Sequence, residues 1–331
     1  IDLEEYLAFC VQYPGVSYYV NLDVIPGVAN DKRSLTPASI EDACQKSWDN
    51  YRRMIQVLPK DKVIPVFHQN DPVRWLHKYL DFGVKYIGIS PANDETTFGR
   101  MKWLKPLLKV LFDGAGRPVV RTHGFAVTSF DLIKYMEWYS VDSASWKVAP
   151  GWGTVYMPQV VNGQFVYDRA PAQIAVTRQT RKTKHQGRLN RLSPLVKDRL
   201  VNVVHSCGLE LGTSDLVQAD AGYSLDRKIG EIWLDKTKRI LMRPIVQGVT
   251  NSYESRAILC AKFMLRVNKA LRPTVKHIYL AGLPMPYPLE FQIPCRLLSW
   301  YYSGRQASGV EYIQGHIDRL PGGLKYKGDT K

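Results

Sequence analysis

Asp23, His68 with Gln69, Ser90, His123 and Asp142 each stand where a short β-run of this chain gives out. Gathered on one rim they would offer two carboxylates, two imidazoles, an amide and a hydroxyl. A carboxylate can attack a carbon centre, an imidazole can move a proton, and the amide and hydroxyl can bind a planar polar ligand. Taken singly, each has a structural account, since an Asp after a strand often caps a helix and a His on a strand is often a hydrogen-bonded core residue. His68, His123 and the two aspartates could instead form a mononuclear metal centre. Barrel hydrolases open such a centre with an H-x-H strand, which this sequence lacks, and the reading adopted uses no metal or other cofactor.

The elements that must carry these residues read clearly in the stretch 118–146. Val119 and Val120 form an apolar run leading to Thr122, His123 and Gly124. Thr128 or Ser129 then caps a helix with Leu132, Ile133 and Met136 on one face. A second run, 139–141, ends on Asp142, followed by Ser143, Ser145 and Trp146. Upstream, helical spacing begins at Leu3, and a strand over 18–25 carries Asp23. Thr36-Pro37 starts a helix with the hydroxyl as cap and the proline at the first turn. A strand over 63–67 delivers His68 and Gln69, Asp71-Pro72 caps the next helix, and Gly83 stops it. A strand over 86–89, with Gly88 inside, ends on Ser90, and a helix with Leu104, Leu107 and Leu111 follows.

Strands alternating with helices at this spacing predict right-handed βαβ units and a TIM-type (β/α)8 barrel, with its first strand or strands either absent or unrecognised. In such a barrel the C-terminal strand ends line the active site. A doubly wound sheet would carry a Gly-rich phosphate turn after a strand, and none of these strands has one.

The division predicted is a barrel core over 1–150, a basic insertion over 151–252, a return to the barrel over 253–315 and a flexible tail over 316–331. Within the insertion, the runs 154–157 and 164–167 suggest a hairpin and Ser193-Pro194 a helix. A second short helix from Thr213-Ser214 would make a helix-turn-helix; an insertion packed on the barrel rim is the preferred account. A long helix over 253–271 and a strand over 277–280 then lead back to the barrel.

The chain carries a formal charge of +15. The excess is local: residues 151–272 hold 20 Lys and Arg against 9 Asp and Glu, whereas residues 1–150 hold 18 against 17. Such a surplus suits a polyanion, and Arg178, Arg181, Lys182, Lys184, Arg188 and Arg191 are the cations expected to hold phosphates. The five cysteines are scattered with no C-x-x-C pair, which argues against a disulfide framework and a closed zinc site and fits a reducing cytoplasm. No apolar run approaches the roughly 18 residues of a membrane span, and the acidic start I-D-L-E-E is not a signal peptide.

The motifs N-L-D-V-I-P-G, I-P-V-F-H-Q, Y-I-G-I-S-P, T-H-G-F-A-V-T-S and Y-S-V-D-S-A-S-W, in this order, resemble the DpdA-type DNA 7-deazaguanine transglycosylases of phages and bacteria, relatives of tRNA-guanine transglycosylase. The resemblance covers roughly residues 1–150 and the strand near His277. It implies a TIM-barrel enzyme that exchanges guanine in DNA for a 7-deazaguanine base such as preQ0, through a covalent aspartyl-glycosyl intermediate. It further implies Asp142 as nucleophile and Asp23, His68 and Gln69 as readers of the base edge. Gly88, Ser90, His123 and Ser143 would complete the pocket, and Phe67, Phe125 and Trp146 would receive the extruded base. The partners implied are DNA and the free base, with a partner protein or a second copy of the chain also possible, and the setting is cytoplasmic (the host's, if phage-encoded). The family also has an aspartate in a D-S-G-type motif upstream of the helix at which this sequence begins. The zinc motif of the tRNA enzymes has no counterpart here, and Ser145 stands where their D-x-x-D pattern has its later aspartate. Exchange on tRNA and a catalytically inactive nucleic-acid-binding barrel are the competing readings.

Overall fold

The structure, a computed structural model, describes residues 2–27, 34–92, 94–127, 129–177, 187–227 and 229–271 and the backbone of Val275–Leu280. It is mixed α/β, with eight α-helices among the described residues, and divides into two compact units. Of the described residues, the first unit takes 2–143 and 275–280 and the second takes 144–271. The division therefore falls after Ser143 and after Leu271, and the long helix expected to return to the barrel sits with the second unit. The tail over 316–331 lies outside the described residues.

The first unit runs α1 (Leu3–Gln12), β1 (Tyr19–Val20), α2 (Pro37–Val57), β2 (Val63–Ile64), β3 (Val66–His68), α3 (Val73–Asp81), β4 (Tyr86–Ser90), α4 (Thr97–Leu111), β5 (Arg121–Gly124), α5 (Phe130–Tyr135) and β6 (Trp138–Ser143). After the described part of the second unit it gains β15 (Val275–Leu280). Local chemistry accounts for the start of α2. Thr36 accepts the Ser39 N–H and Ser39 returns a bond to the Thr36 N–H, with Pro37 in the first turn. Trp48, Tyr51 and Met54 on the inner face of α2 are buried, each adding about 1.5–3 kcal/mol of burial. Gly83 ends α3 at φ +85°, a conformation other residues reach only with strain.

All the sheet pairings of this unit are parallel. β1 pairs with β2, and β3, β4, β5, β6 and β15 lie side by side in that order. Among the described residues the strands do not close into a barrel. Register aligns Val66, Gly88, His123, Ser140 and residue 277, and two residues further on it aligns His68 with Ser90 and Asp142 with residue 279. Because side chains alternate along a strand, Gly88, Ser90, His68, His123, Ser140 and Asp142 share one face of the sheet. Phe67, Ile87, Ile89 and Val141 take the other face and are fully buried.

Three boundaries differ from expectation. The strand expected at Val119-Val120 is Arg121–Gly124, so His123 lies inside β5 with its neighbour Thr122 buried too. The strand over 18–25 shrinks to Tyr19–Val20, and Asp23 stands in the segment beyond it. Asp71 does not cap α3; its carboxylate accepts the N–H of His68 at 2.8 Å.

The second unit runs α6 (Ser145–Gly151), β7 (Thr154–Met157), β8 (Gln159–Val161), β9 (Gln164–Val166), β10 (Ala172–Ala175), β11 (Gly187–Arg188), α7 (Pro194–His205), β12 (Thr213–Gln218), β13 (Ile232–Asp235), β14 (Ile240–Val246) and α8 (Tyr253–Ala270). The hairpin is β8 with β9, turned by Asn162 and Gly163 at φ 50° and 79°, and β7 pairs instead with β10. Thr213-Ser214 opens a strand, not a helix: β12 pairs antiparallel with β14 over its whole length, which removes the helix-turn-helix reading. α8 is buried nearly all round against α6 and β7. Its buried cations Arg256 and Lys262 donate to backbone carbonyls, Arg256 to Pro150 and Val249, Lys262 to Cys207. Cys10, Cys44, Cys207 and Cys260 are free and buried, as small core residues would be.

Candidate active site

Two Asp–His pairs stand at the C-terminal end of the parallel strands. In the first, Asp23 Oδ2 lies 2.7 Å from His68 Nε2, with the side chains 22% and 15% exposed. Burial alone would lower the imidazole pKa, but the hydrogen bond and charge of Asp23 outweigh it, helped by Asp71, and the net shift is upward. His68 is thus a charge-assisted partner of Asp23, anchored through its backbone by Asp71. Gln69 spends its side-chain oxygen on the Ala92 N–H at 2.9 Å and donates its own backbone N–H to Ser90 O at 3.0 Å. It ties the ends of β3 and β4 together and sets the position of Ser90.

The second pair is more deeply enclosed. His123 is 6% exposed in its side chain and Asp142 20%, with His123 Nε2 4.0 Å from Asp142 Oδ1. Asp142 Oδ1 also accepts the backbone N–H of Ala126, a residue held at φ 52° in the turn after β5. Burial drives the Asp142 carboxyl up to about 6 against the opposing pull of that N–H. Burial likewise drives His123 down to about 3, so its imidazole is neutral near pH 7. A carboxyl that titrates near neutrality beside a neutral imidazole is an arrangement suited to nucleophilic or acid–base work.

Gly88 explains the shape beside this pair. A Cβ there would meet Phe125 Cε2 at 2.4 Å, so the Phe125 ring lies directly on the backbone of β4. The same ring packs edge-on against His123, with centroids 4.3 Å apart. Phe125 is half-buried. Phe67 does not join this face: it is fully buried and stacks parallel to Trp103 of α4, 6.3 Å away. Trp146 is buried in the second unit.

The fold thus brings Asp23 to His68, Asp142 to His123, and Gly88 to His123 through Phe125, and it puts Ser90 level with His68. The side chain of Ser143 lies outside the described residues, as do Arg178, Arg181, Lys182 and Lys184. Arg188 and Arg191 are exposed on the second unit. Arg188 and Lys197 line a cavity of about 640 Å³ with Thr177, Asn190, Thr213 and Thr250, and no acid is among its described lining residues. Sequence reasoning missed Tyr86, Ser140 and the Ala126 N–H. Ser140 was within reach, since it precedes Asp142 by two and so shares its face. Among the described residues no group of three or more His, Cys, Asp or Glu is placed to hold a metal ion. No protein-family model matches the chain, and no curated protein and no solved structure shows significant similarity to it.

Proposed function

We propose that the chain is a base-exchange transglycosylase that replaces guanine in DNA with a 7-deazaguanine base of the preQ0 kind, on a (β/α) barrel to which β1–β6 and β15 belong. The observation that carries the reading is the setting of Asp142, a partly buried carboxyl at the end of a parallel strand with one oxygen on a backbone N–H and a neutral imidazole 4.0 Å away. Asp142 forms a bond to C1′ of the target nucleotide as the bond from C1′ to N9 of guanine breaks, and the departing guanine takes up a proton from solvent water. The incoming base gives up its own N9 proton and displaces the carboxylate, so the exchange balances. A carboxylate suits this task because it is nucleophilic at neutral pH and stabilises oxocarbenium character.

Asp23 and His68 present a charged acceptor–donor pair suited to the polar edge of a purine, and the Phe125 ring supplies a flat apolar wall. Arg188 and Lys197, in a cavity whose described lining has no acid, suit phosphates, which makes binding salt-dependent without choosing sequence.

Incubation of the full chain with radiolabelled guanine and either duplex DNA or tRNA tests the reading. Label in DNA is the expected result. Label in tRNA moves the substrate to RNA, and label in neither, with nucleic-acid binding retained, leaves a binding module only.

A further inference from the structure

Beneath Asp142 a line of polar groups runs through the buried face of the sheet. The Tyr86 hydroxyl bonds the Ser140 hydroxyl, and Ser140 Oγ lies 2.6 Å from His123 Nδ1. The opposite ring nitrogen, Nε2, is the one that faces Asp142 at 4.0 Å. Ser140 is fully buried and His123 nearly so, and three neighbouring strands hold the line in register. Beyond Tyr86 lie the rings of Tyr18 and Tyr139, with the Arg121 guanidinium over Tyr139. Among the described residues, Asp142 on β6 and Tyr86 on β4 are titratable groups beside His123.

A neutral imidazole has one N–H, and a hydroxyl donates one bond while accepting others. Two orders use the Ser140 hydroxyl as both donor and acceptor within the line. In one, Tyr86 donates to Ser140, Ser140 donates to Nδ1, and Nε2 carries the proton. In the other, Nδ1 donates to Ser140, Ser140 donates to Tyr86, and the lone pair of Nε2 points at Asp142. The second order sets two acceptors against each other in a site that excludes most water, where the repulsion of an ionised carboxylate is weakly screened. The first turns a donor toward it, and a shift of about 1 Å would complete a hydrogen bond.

We propose that Tyr86 and Ser140 are positioning residues that hold His123 as its Nε2–H tautomer, so that the imidazole presents a donor to the ionised Asp142 carboxylate. Their importance for turnover rests on Asp142 being the reacting acid, but the tautomer itself does not. The apolar setting raises the Asp142 carboxyl toward neutrality and so disfavours its ionised form. A fixed imidazole donor and the Ala126 N–H, both directed at Oδ1, favour the ion without spending a formal charge. The Phe125 ring against the far edge of His123 keeps the imidazole from turning away.

The test is nitrogen-15 NMR of the full chain labelled at its seven histidines, with His123 assigned by its disappearance in His123→Gln. At pH 8 the wild-type spectrum should show Nδ1 unprotonated and Nε2 protonated. An Nδ1–H tautomer or an imidazolium at that pH overturns the proposal. Carbon-13 NMR of the Asp142 carboxyl supplies the second readout. Ser140→Ala should raise its titration midpoint by about one pH unit, and Tyr86→Phe should raise it by less. A midpoint unmoved in Ser140→Ala reduces the line to packing and also overturns the proposal. Loss of the base-exchange reading would leave both NMR results untouched, so the two ideas fail separately.

Discussion

Asp23 with His68 and Asp142 with His123 are the same two side chains in two settings at the end of one set of strands. At 2.7 Å and partly open to water, Asp23 holds His68 above the ordinary imidazole value. At 4.0 Å and more enclosed, Asp142 fails to do the same for His123, which burial drives down to about 3, while Asp142 itself rises to about 6. A little over an ångström of separation and a change of enclosure invert the outcome. Contact makes a charge-assisted hydrogen bond, which suits recognition of a polar ligand; separation and burial leave a neutral base beside an acid that titrates near neutrality, which suits chemistry.

The strongest test of this contrast removes the charge from the enclosed pair. Asp142→Asn should lower base exchange by at least about 10³-fold in the radiolabel assay, whereas Asp23→Asn should act mainly on the concentration of base required. Equal losses of maximal rate in the two variants would erase the distinction. In the wild type, maximal exchange should rise with pH through about 6 as Asp142 ionises.

The same Asn variant separates activity from stability. The folded-state pKa of Asp142 is raised from 3.8 to about 6, so between those values the folded chain binds more protons than the unfolded one, and stability falls as pH rises. Asp142→Asn should therefore stabilise the protein at pH 8 by about 1–3 kcal/mol in urea unfolding, and the gain should vanish near pH 3.5, where the carboxyl is protonated in both states. A destabilised variant at pH 8 would show that the carboxylate is held by more than it costs to bury.

Gly88→Ala sharpens the contrast from the side. The new methyl meets the Phe125 ring, which must shift off His123, at about 1–3 kcal/mol of stability. The signals of His123 should move and those of His68 should not. Asp23→Asn has the smallest effect on stability. His68 is raised in the folded state, so the pair contributes below the unfolded value of 6.5 and fades as pH rises through the folded value. The variant should cost about 1–2 kcal/mol at pH 5.5 and little at pH 9.

What the sequence made legible was local. Thr36-Pro37, Gly83 and Asn162-Gly163 mark starts, stops and a turn through their own backbone chemistry, and each does so in the structure. The strand ends carrying His68, Ser90 and Asp142 were legible as apolar runs giving way to polar residues. β5 was not, because Arg-Thr-His-Gly has no apolar alternation; its Thr122 and His123 are buried by neighbours supplied from β4 and β6. Thr213-Ser214-Asp215 after Gly212 has the look of a helix cap, yet pairing with β14, which lies beyond a whole intervening strand, decides its state. The pairing of Asp23 with His68 joins residues 45 apart, and the Ala126 N–H reaches Asp142 only because Ala126 adopts a left-handed backbone. Neither leaves a mark in composition or period.

The partner of β6 on its outer side, β15, does not begin until residue 275, after residues 144–271 of the second unit have been made. On a ribosome adding about 5–20 residues per second, the strand that carries Asp142 waits on the order of ten seconds with a row of amide hydrogens and carbonyls unmet. A nascent chain in that state offers a template to any other strand nearby. Yield in the cell would then depend on how fast translation crosses 144–274, and slow codons there should favour aggregates over active protein.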